Sequence, residues 1–427
     1  MYELSELKNG LKVATCKVPE AKSVALGVWI GVGGRYEAKA SSGISHFIEH
    51  MVFKGTKKRT YRQIKESIEG LGGLLNGFTS EELTCFMAKV LDKHSQSTLD
   101  VLLDIIIDPL LKKSDITKER LVIFEEIKMY FDLPNHLAYD RLQELLWPNH
   151  ALGRNLAGDF DSLKAIDKPF MLSFMKKYYD LSNVLVTACG NISHKQILTY
   201  LDKILKNKNK ISKQRQERSY DPIIIDQVKP NHIFLEKDTQ QTHLCLGFHA
   251  VPRRDPLRHA MTLIHVILGA NMSSRLFNEL REKNGYAYEI ATAIRRFSDT
   301  GAFIVHAGVV NKNTENALCL ILEQLKKISR VNVKKSELNR AKIYCRGQLL
   351  MGLEDTLEHM SWLGESIMTE GKPQYVEKVI EGIEKVTAEQ IRLLAKKIFS
   401  NNNLNLSVVG PVDDKKQKKL INILRRF

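Results

Sequence analysis

With 427 residues, 43% hydrophobic and 26% charged, the chain has the makeup of an ordinary globular protein too long for one core, so two domains are expected. No apolar run approaches the ~20 residues of a membrane span, and the opening MYELSELKNGLKVATC lacks the regions of a secretory signal, which predicts a cytoplasmic protein with no membrane partner. The net charge of +15 includes Lys-rich runs at 203–218 and 415–426; neither is interleaved with stacking aromatics, so both read as solvated segments and nucleic acid is disfavoured as a partner.

In chain order, LKVATCKV and SVALGVWIGVGG within residues 2–36 are apolar and β-branched and predict strands, with Asn9-Gly10 as a tight turn. The stretch SSGISHFIEHMVFKGT, 41–56, then carries His46, Glu49 and His50 in an H-x-x-E-H pattern. On a helix, at about 100° per residue, these three share one face. Ile44, Phe47, Ile48, Met51 and Val52 form a stripe centred on the opposite side. A helix held down by its apolar stripe would thus present two imidazoles and a carboxylate. Two His at i and i+4 can share one Zn2+, and a carboxylate just before the second reaches water polarised by that ion. The pattern is that of the inverzincins. A lone His is usually a surface or satisfied core group, and the chain has 13; it is the placement opposite an apolar stripe that favours metal.

Farther along, 61–71 predicts a helix stopped by Gly72-Gly73, and LLNGFTSEELTCFMAKV predicts a strand pair around a polar turn. Helices are expected over 92–107, 114–131, 134–147 and 168–180, then a strand at 183–190 and a helix at 193–205. The six cysteines are scattered without a C-x-x-C pair and read as free thiols of a reducing compartment.

The second half repeats this plan. SVALGVWI answers THLCLGFHA, and NVLVTACGNISHKQILTYLDKIL answers LNLSVVGPVDDKKQKKLINILRRF; in both pairs the aligned glycines, Gly27 with Gly247 and Gly190 with Gly410, are 220 positions apart. SDITKERLVIFEEI answers SELNRAKIYCRGQL at 222. A duplicated α+β domain is expected, each copy an antiparallel-rich sheet covered by helices, over 1–210 and 221–427 with a Lys/Asn/Gln-rich linker near 206–220. At these offsets the motif residues face Val266, Gly269 and Ala270, so only the first copy is metal-competent.

A catalytic zinc usually takes three protein ligands. The helix at 114–131 offers Glu119, Glu125 and Glu126, and the residues alone do not choose among them.

The runs GVGGRYE, GISHFIEHMVFKGT, GGLLNGFTSEELT, VIFEEI and ANMSSRLFNELREKNGYAYEI span both halves. With them the chain resembles the pitrilysin/insulinase group of inverzincin peptidases, above all the short branch with the mitochondrial processing peptidase and its bacterial relatives. The resemblance implies one Zn2+ per chain on His46, His50 and Glu126, Glu49 as general base and Glu119 as a supporting carboxylate. It implies that Asn76 and Gly77, in GGLLNG, belong to an edge strand along which substrate lies extended, with Gly77 where the family has Ala. Arg281 and Tyr288, from REKNGYAY, are implied to hold substrate carbonyls. Relatives act as homodimers or beside an inactive relative. The expected function is a zinc endopeptidase acting on unfolded peptides; the rival is a non-catalytic structural or partner subunit of the same fold.

Overall fold

The computed structural model describes residues 2–205 and 219–427. The fold is α+β, in two units each built on one sheet. In the first, β1 (Tyr2–Glu6), β2 (Lys12–Lys17), β3 (Ser23–Ile30), β4 (Leu74–Thr79), β5 (Thr84–Leu91) and β6 (Val184–Gly190) lie in the order β1-β2-β6-β3-β5-β4. In the second, β7 (Asn231–Glu236), β8 (Gln241–Ala250), β9 (Ala287–Arg296), β10 (Gly301–Val310) and β11 (Leu404–Gly410) lie in the order β7-β11-β8-β10-β9. Leaving β1 aside, the two orders are the same. In each, one pair, β2 with β6 and β7 with β11, is parallel and the other pairs are antiparallel. This shared topology is what the 220-residue repeat encodes.

The units are not the two contiguous halves expected. The first comprises Met1–Ile127, Asn155–Tyr220 and Leu350–Gln374; the second comprises Lys128–Arg154, Asp221–Leu349 and Tyr375–Phe427. Each therefore takes one helix from the other half of the sequence. Thr356–Glu370 lays Met360, Leu363 and Ile367 on the sheet face that carries Ala25, Trp29 and Leu185. Pro134–Leu146 does the same in the second unit, with Leu137, Leu142 and Leu146 against Cys245, Ile304 and Val409. Both sheet faces are then covered, which is why β3 and β8 read as nearly unbroken apolar runs rather than alternating ones. Most of the linker expected near 206–220 lies outside the described residues.

One repeated pair of glycines, Gly27 and Gly247, marks the contact between sheet and borrowed helix. A Cβ on Gly27 would stand 2.4 Å from Met360 Sδ and 2.7 Å from Thr187 Oγ1, and one on Gly247 would stand 2.9 Å from Leu142 Cδ1. Only a residue without a side chain lets either helix sit so close. Gly27→Val is expected to destabilise the first unit by about 1–3 kcal/mol through overpacking. It also crowds the Trp29 Nε1–H donation to Thr187 Oγ1 at 2.8 Å. Urea midpoints of the two proteins check this; an unchanged midpoint would mean that the helix docks elsewhere in solution.

Candidate metal centre

The motif helix, Ile44–Val52, is only nine residues long and needs outside support. Its stripe supplies part: Ile44, Phe47, Ile48, Met51 and Val52 are all fully buried in the core of the first unit. Each such burial contributes about 1.5–3 kcal/mol, enough to fix the rotation of the helix. Glu37 supplies the rest, accepting the backbone N–H groups of Gly43 and Ser45 at 2.7 and 2.8 Å. A carboxylate there satisfies donors that the first helical turn leaves free and complements the helix dipole. The same GVGGRYE run holds the β4–β5 turn: Gly34 N–H donates to Ser80 O at 3.1 Å and Arg35 N–H to Glu81 O at 2.8 Å. The Arg35 guanidinium, buried, pairs with Glu82 at 2.8 Å and lies 3.8 Å from the centre of the Tyr220 ring. One short run thus fixes the motif helix and the neighbouring strand turn together.

On the exposed side of that helix, His46, Glu49 and His50 are half-buried. Facing them is the helix Lys113–Asp132. Glu126 Oε2 lies 3.8 Å from His46 Nε2 and 3.8 Å from His50 Nε2. One ligand atom from each of the three lies within 4.8 Å of the others. Ligands around a tetrahedral zinc with bonds of about 2.0–2.2 Å sit roughly 3.3–3.5 Å apart, so Glu126 needs to close on each imidazole by only a few tenths of an ångström. Burial, helped by the nearby His50, lowers the His46 pKa to about 4. Its imidazole is therefore neutral at neutral pH, the form in which it ligates. The donor set, two imidazoles and a carboxylate, fits zinc.

Glu119 stands behind this group. One of its oxygens lies 3.3 Å from His50 Nδ1, and the other is paired with Lys54 Nζ at 2.7 Å. A carboxylate on Nδ1 fixes the tautomer that leaves Nε2 free to face Glu126. Glu125, one residue from Glu126, is on the exposed side of the helix and outside the cluster.

Glu49 is held by Thr79, whose hydroxyl donates to Glu49 Oε2 at 2.6 Å. Burial raises the Glu49 pKa above the usual carboxylate value; Thr79 and His50 pull it back in part, and Glu126 adds to the rise. Thr79 ends β4, the outermost strand of the sheet, and Asn76 and Gly77 lie on the same strand. The N–H of Gly77 donates to Asn76 Oδ1 at 2.9 Å. A Cβ on Gly77 would sit 3.2 Å from the Phe86 ring and 3.3 Å from that of Phe53. The alanine of the resembling family would press on this aromatic pair, which would have to give by a few tenths of an ångström.

Arg281 and Tyr288 belong to the second unit. Arg281 lies in a π-helical turn, Phe277–Lys283, and its Nη1 donates to the Tyr288 carbonyl at 3.0 Å. The guanidinium also covers the Tyr288 ring at 5.0 Å, and Tyr288, 72% exposed, is no core residue. Glu279, which could have paired with Arg281, pairs with Lys283 instead.

Thr79, Lys54 and Glu37 were not singled out from the sequence. All three stand within or beside runs that were, but none has a spacing signal. Thr79 and Lys54 act through contacts with distant segments, at Glu49 and Glu119, and Glu37 through the loop just ahead of the motif helix.

Comparison with known proteins gives two family matches: Insulinase (Peptidase family M16) over residues 12–159, and Peptidase M16 inactive domain over 165–344. An uncharacterized zinc protease of Bacillus subtilis is 32% identical over 95% of this chain and 97% of its own length. One from Rickettsia felis is 34% identical over 96% and 98%. The crystal structure of a protease from Helicobacter pylori superposes with a TM-score of 0.87 at 21% identity, covering 96% of this chain and 99% of that one, and so shares its fold.

Proposed function

Because the chain belongs to the insulinase family of peptidases, family M16, we propose that it is a zinc-dependent endopeptidase cleaving extended, unfolded peptides. One observation carries the reading: His46, His50 and Glu126 converge on one point with Glu49 between the histidines and a sheet edge alongside. Zinc held by those three residues would supply a Lewis acid for a peptide carbonyl and would acidify water beside it. Glu49 Oε1, the oxygen that Thr79 does not engage, accepts the proton of the attacking water and returns it to the departing amine. Glu119 orients His50. The outer edge of β4, at Asn76 and Gly77, offers backbone groups to a substrate strand, a geometry open to flexible chains and closed to folded ones. Arg281 and Tyr288 hold substrate carbonyls, and the second unit contributes to binding rather than to the metal.

Among the described residues no helix is long and apolar enough to cross a membrane. Six free cysteines suit the reducing cytoplasm, and the working form is a homodimer or a pair with an inactive relative. The test is hydrolysis of an unstructured fluorogenic peptide before and after chelation. Cleavage that disappears with chelator and returns with one equivalent of zinc at the His46 cluster is expected. A zinc-loaded protein that cuts nothing in a broad peptide pool would instead make the chain a non-catalytic partner subunit.

A further inference from the structure

We propose that Cys16, Cys189 and His359 form a second metal site, apart from the His46 cluster, that takes a thiophilic cation, Zn2+ or Cu+. Cys16 and Cys189 are direct partners in the parallel register of β2 and β6, so their side chains leave the sheet side by side on one face. That face is the one covered by the borrowed helix Thr356–Glu370, and His359 comes from its first turns. Cys16 Sγ lies 3.5 Å from His359 Nε2 and 4.0 Å from Nδ1. One ligand atom from each of the three side chains falls within 4.8 Å of the others. Sulfur and nitrogen ligands on one zinc or copper(I) ion sit roughly 3.6–3.8 Å apart, so the group needs adjustments of no more than about 1 Å.

The surroundings favour a soft cation. Cys16 is 4% exposed and Cys189 fully buried, among apolar neighbours that exclude competing oxygen ligands, while the half-exposed His359 leaves a way in. The Tyr2 hydroxyl lies 2.9 Å from His359 Nε2, with the two rings edge to face. Nε2 is the nitrogen nearer Cys16 Sγ and also the one Tyr2 reaches, so the ion would take the place that the Tyr2 hydroxyl holds on this ring. Binding releases the thiol protons to solvent, and two thiolates with a neutral imidazole balance the charge of Zn2+. Such an ion ties neighbouring strands of the first sheet to a helix from the last quarter of the chain. It would staple the very contact that the chain order makes hardest to form. The donor sets differ in kind: sulfur here, nitrogen and oxygen at His46, so each site can be read without the other.

The experiment uses the full-length protein, reduced, stripped with a chelator and titrated with Co2+. A sulfur-to-cobalt charge-transfer band in the near ultraviolet is expected, which imidazole and carboxylate ligands cannot produce. Cys16→Ser and His359→Gln should each abolish that band and lower zinc content from about two equivalents per chain to about one. Circular dichroism should not change. If Cys16→Ser does not fold, His359→Gln carries the test, since its side chain is half-exposed. No band in folded wild-type protein whose six thiols all titrate once it is denatured, or a band that persists in both variants, overturns the site. Displacement of cobalt by Zn2+ or by Cu+ added separately assigns the site to that ion; displacement by neither overturns it as well.

Discussion

Glu49→Gln is expected to lower kcat/KM on an unstructured peptide by roughly 10²–10⁴-fold, the usual contribution of a positioned acid–base group, with zinc content unchanged. The substitution is nearly isosteric. A carboxamide oxygen can still accept the Thr79 hydroxyl that now reaches Glu49 Oε2 at 2.6 Å, so the strand end and the motif helix stay in register. What is lost is an atom able to take a proton. Glu49 is not among the three groups whose ligand atoms converge, so metal analysis of the variant should match wild type. Thr79→Val makes the companion measurement. It leaves the carboxylate but removes the short Thr79 donation to it, and a loss smaller than that of Glu49→Gln is expected. Peptide cleavage by Glu49→Gln within about tenfold of wild type would place the base on another group.

How far the residues alone lead to this centre differs from part to part. Periodicity was enough for the motif helix, because five apolar residues at helical spacing leave one orientation in which all five are buried, and they are. It was nearly enough for the long helices: Lys113–Asp132 runs one residue past the expected span at each end, and Pro134–Leu146 stops one residue short of it. The helix expected over 61–71 instead stops at Glu66, and Ile68 leaves helical geometry at φ −124° before a 3-10 turn over Glu69–Leu71. Gly70, Gly72 and Gly73 weaken that stretch earlier than the apolar pattern suggests. The exchange of helices between the units was not legible at all. An amphipathic helix announces that it has an apolar face, not which sheet will cover it, and Gly27 and Gly247 show the answer only once their neighbours are known. The same limit applied to the three glutamates. Glu119 and Glu126 are seven residues apart and share a flank, whereas Glu125 is turned about 100° away from Glu126. Helical arithmetic sets Glu125 apart only when the side facing His46 and His50 has been identified.

That geometry separates the duties of the two remaining glutamates, and metal affinity should show it. Glu126→Ala removes the oxygen that lies 3.8 Å from both imidazoles, leaving a two-nitrogen site. Zinc should be lost on dialysis, and peptide cleavage with it. Glu119→Gln should act less severely, lowering zinc affinity by roughly 10–100-fold, the range for losing an outer partner of a metal-bound His. Glu119 also neutralises Lys54 at 2.7 Å, so a fall in affinity could reflect a freed lysine rather than a misaligned ring. Lys54→Met separates these causes. It removes the competing cation and leaves Glu119 on His50 Nδ1, so zinc affinity should hold or rise slightly while that of Glu119→Gln falls. Competition with a chromophoric chelator measures all three variants on one scale. Equal losses in Lys54→Met and Glu119→Gln would mean that the Lys54–Glu119 pair merely braces the two helices. The expected ranking, with Glu126→Ala worst, Glu119→Gln intermediate and Lys54→Met near wild type, follows only if one glutamate touches the ion and the other aims the imidazole that does.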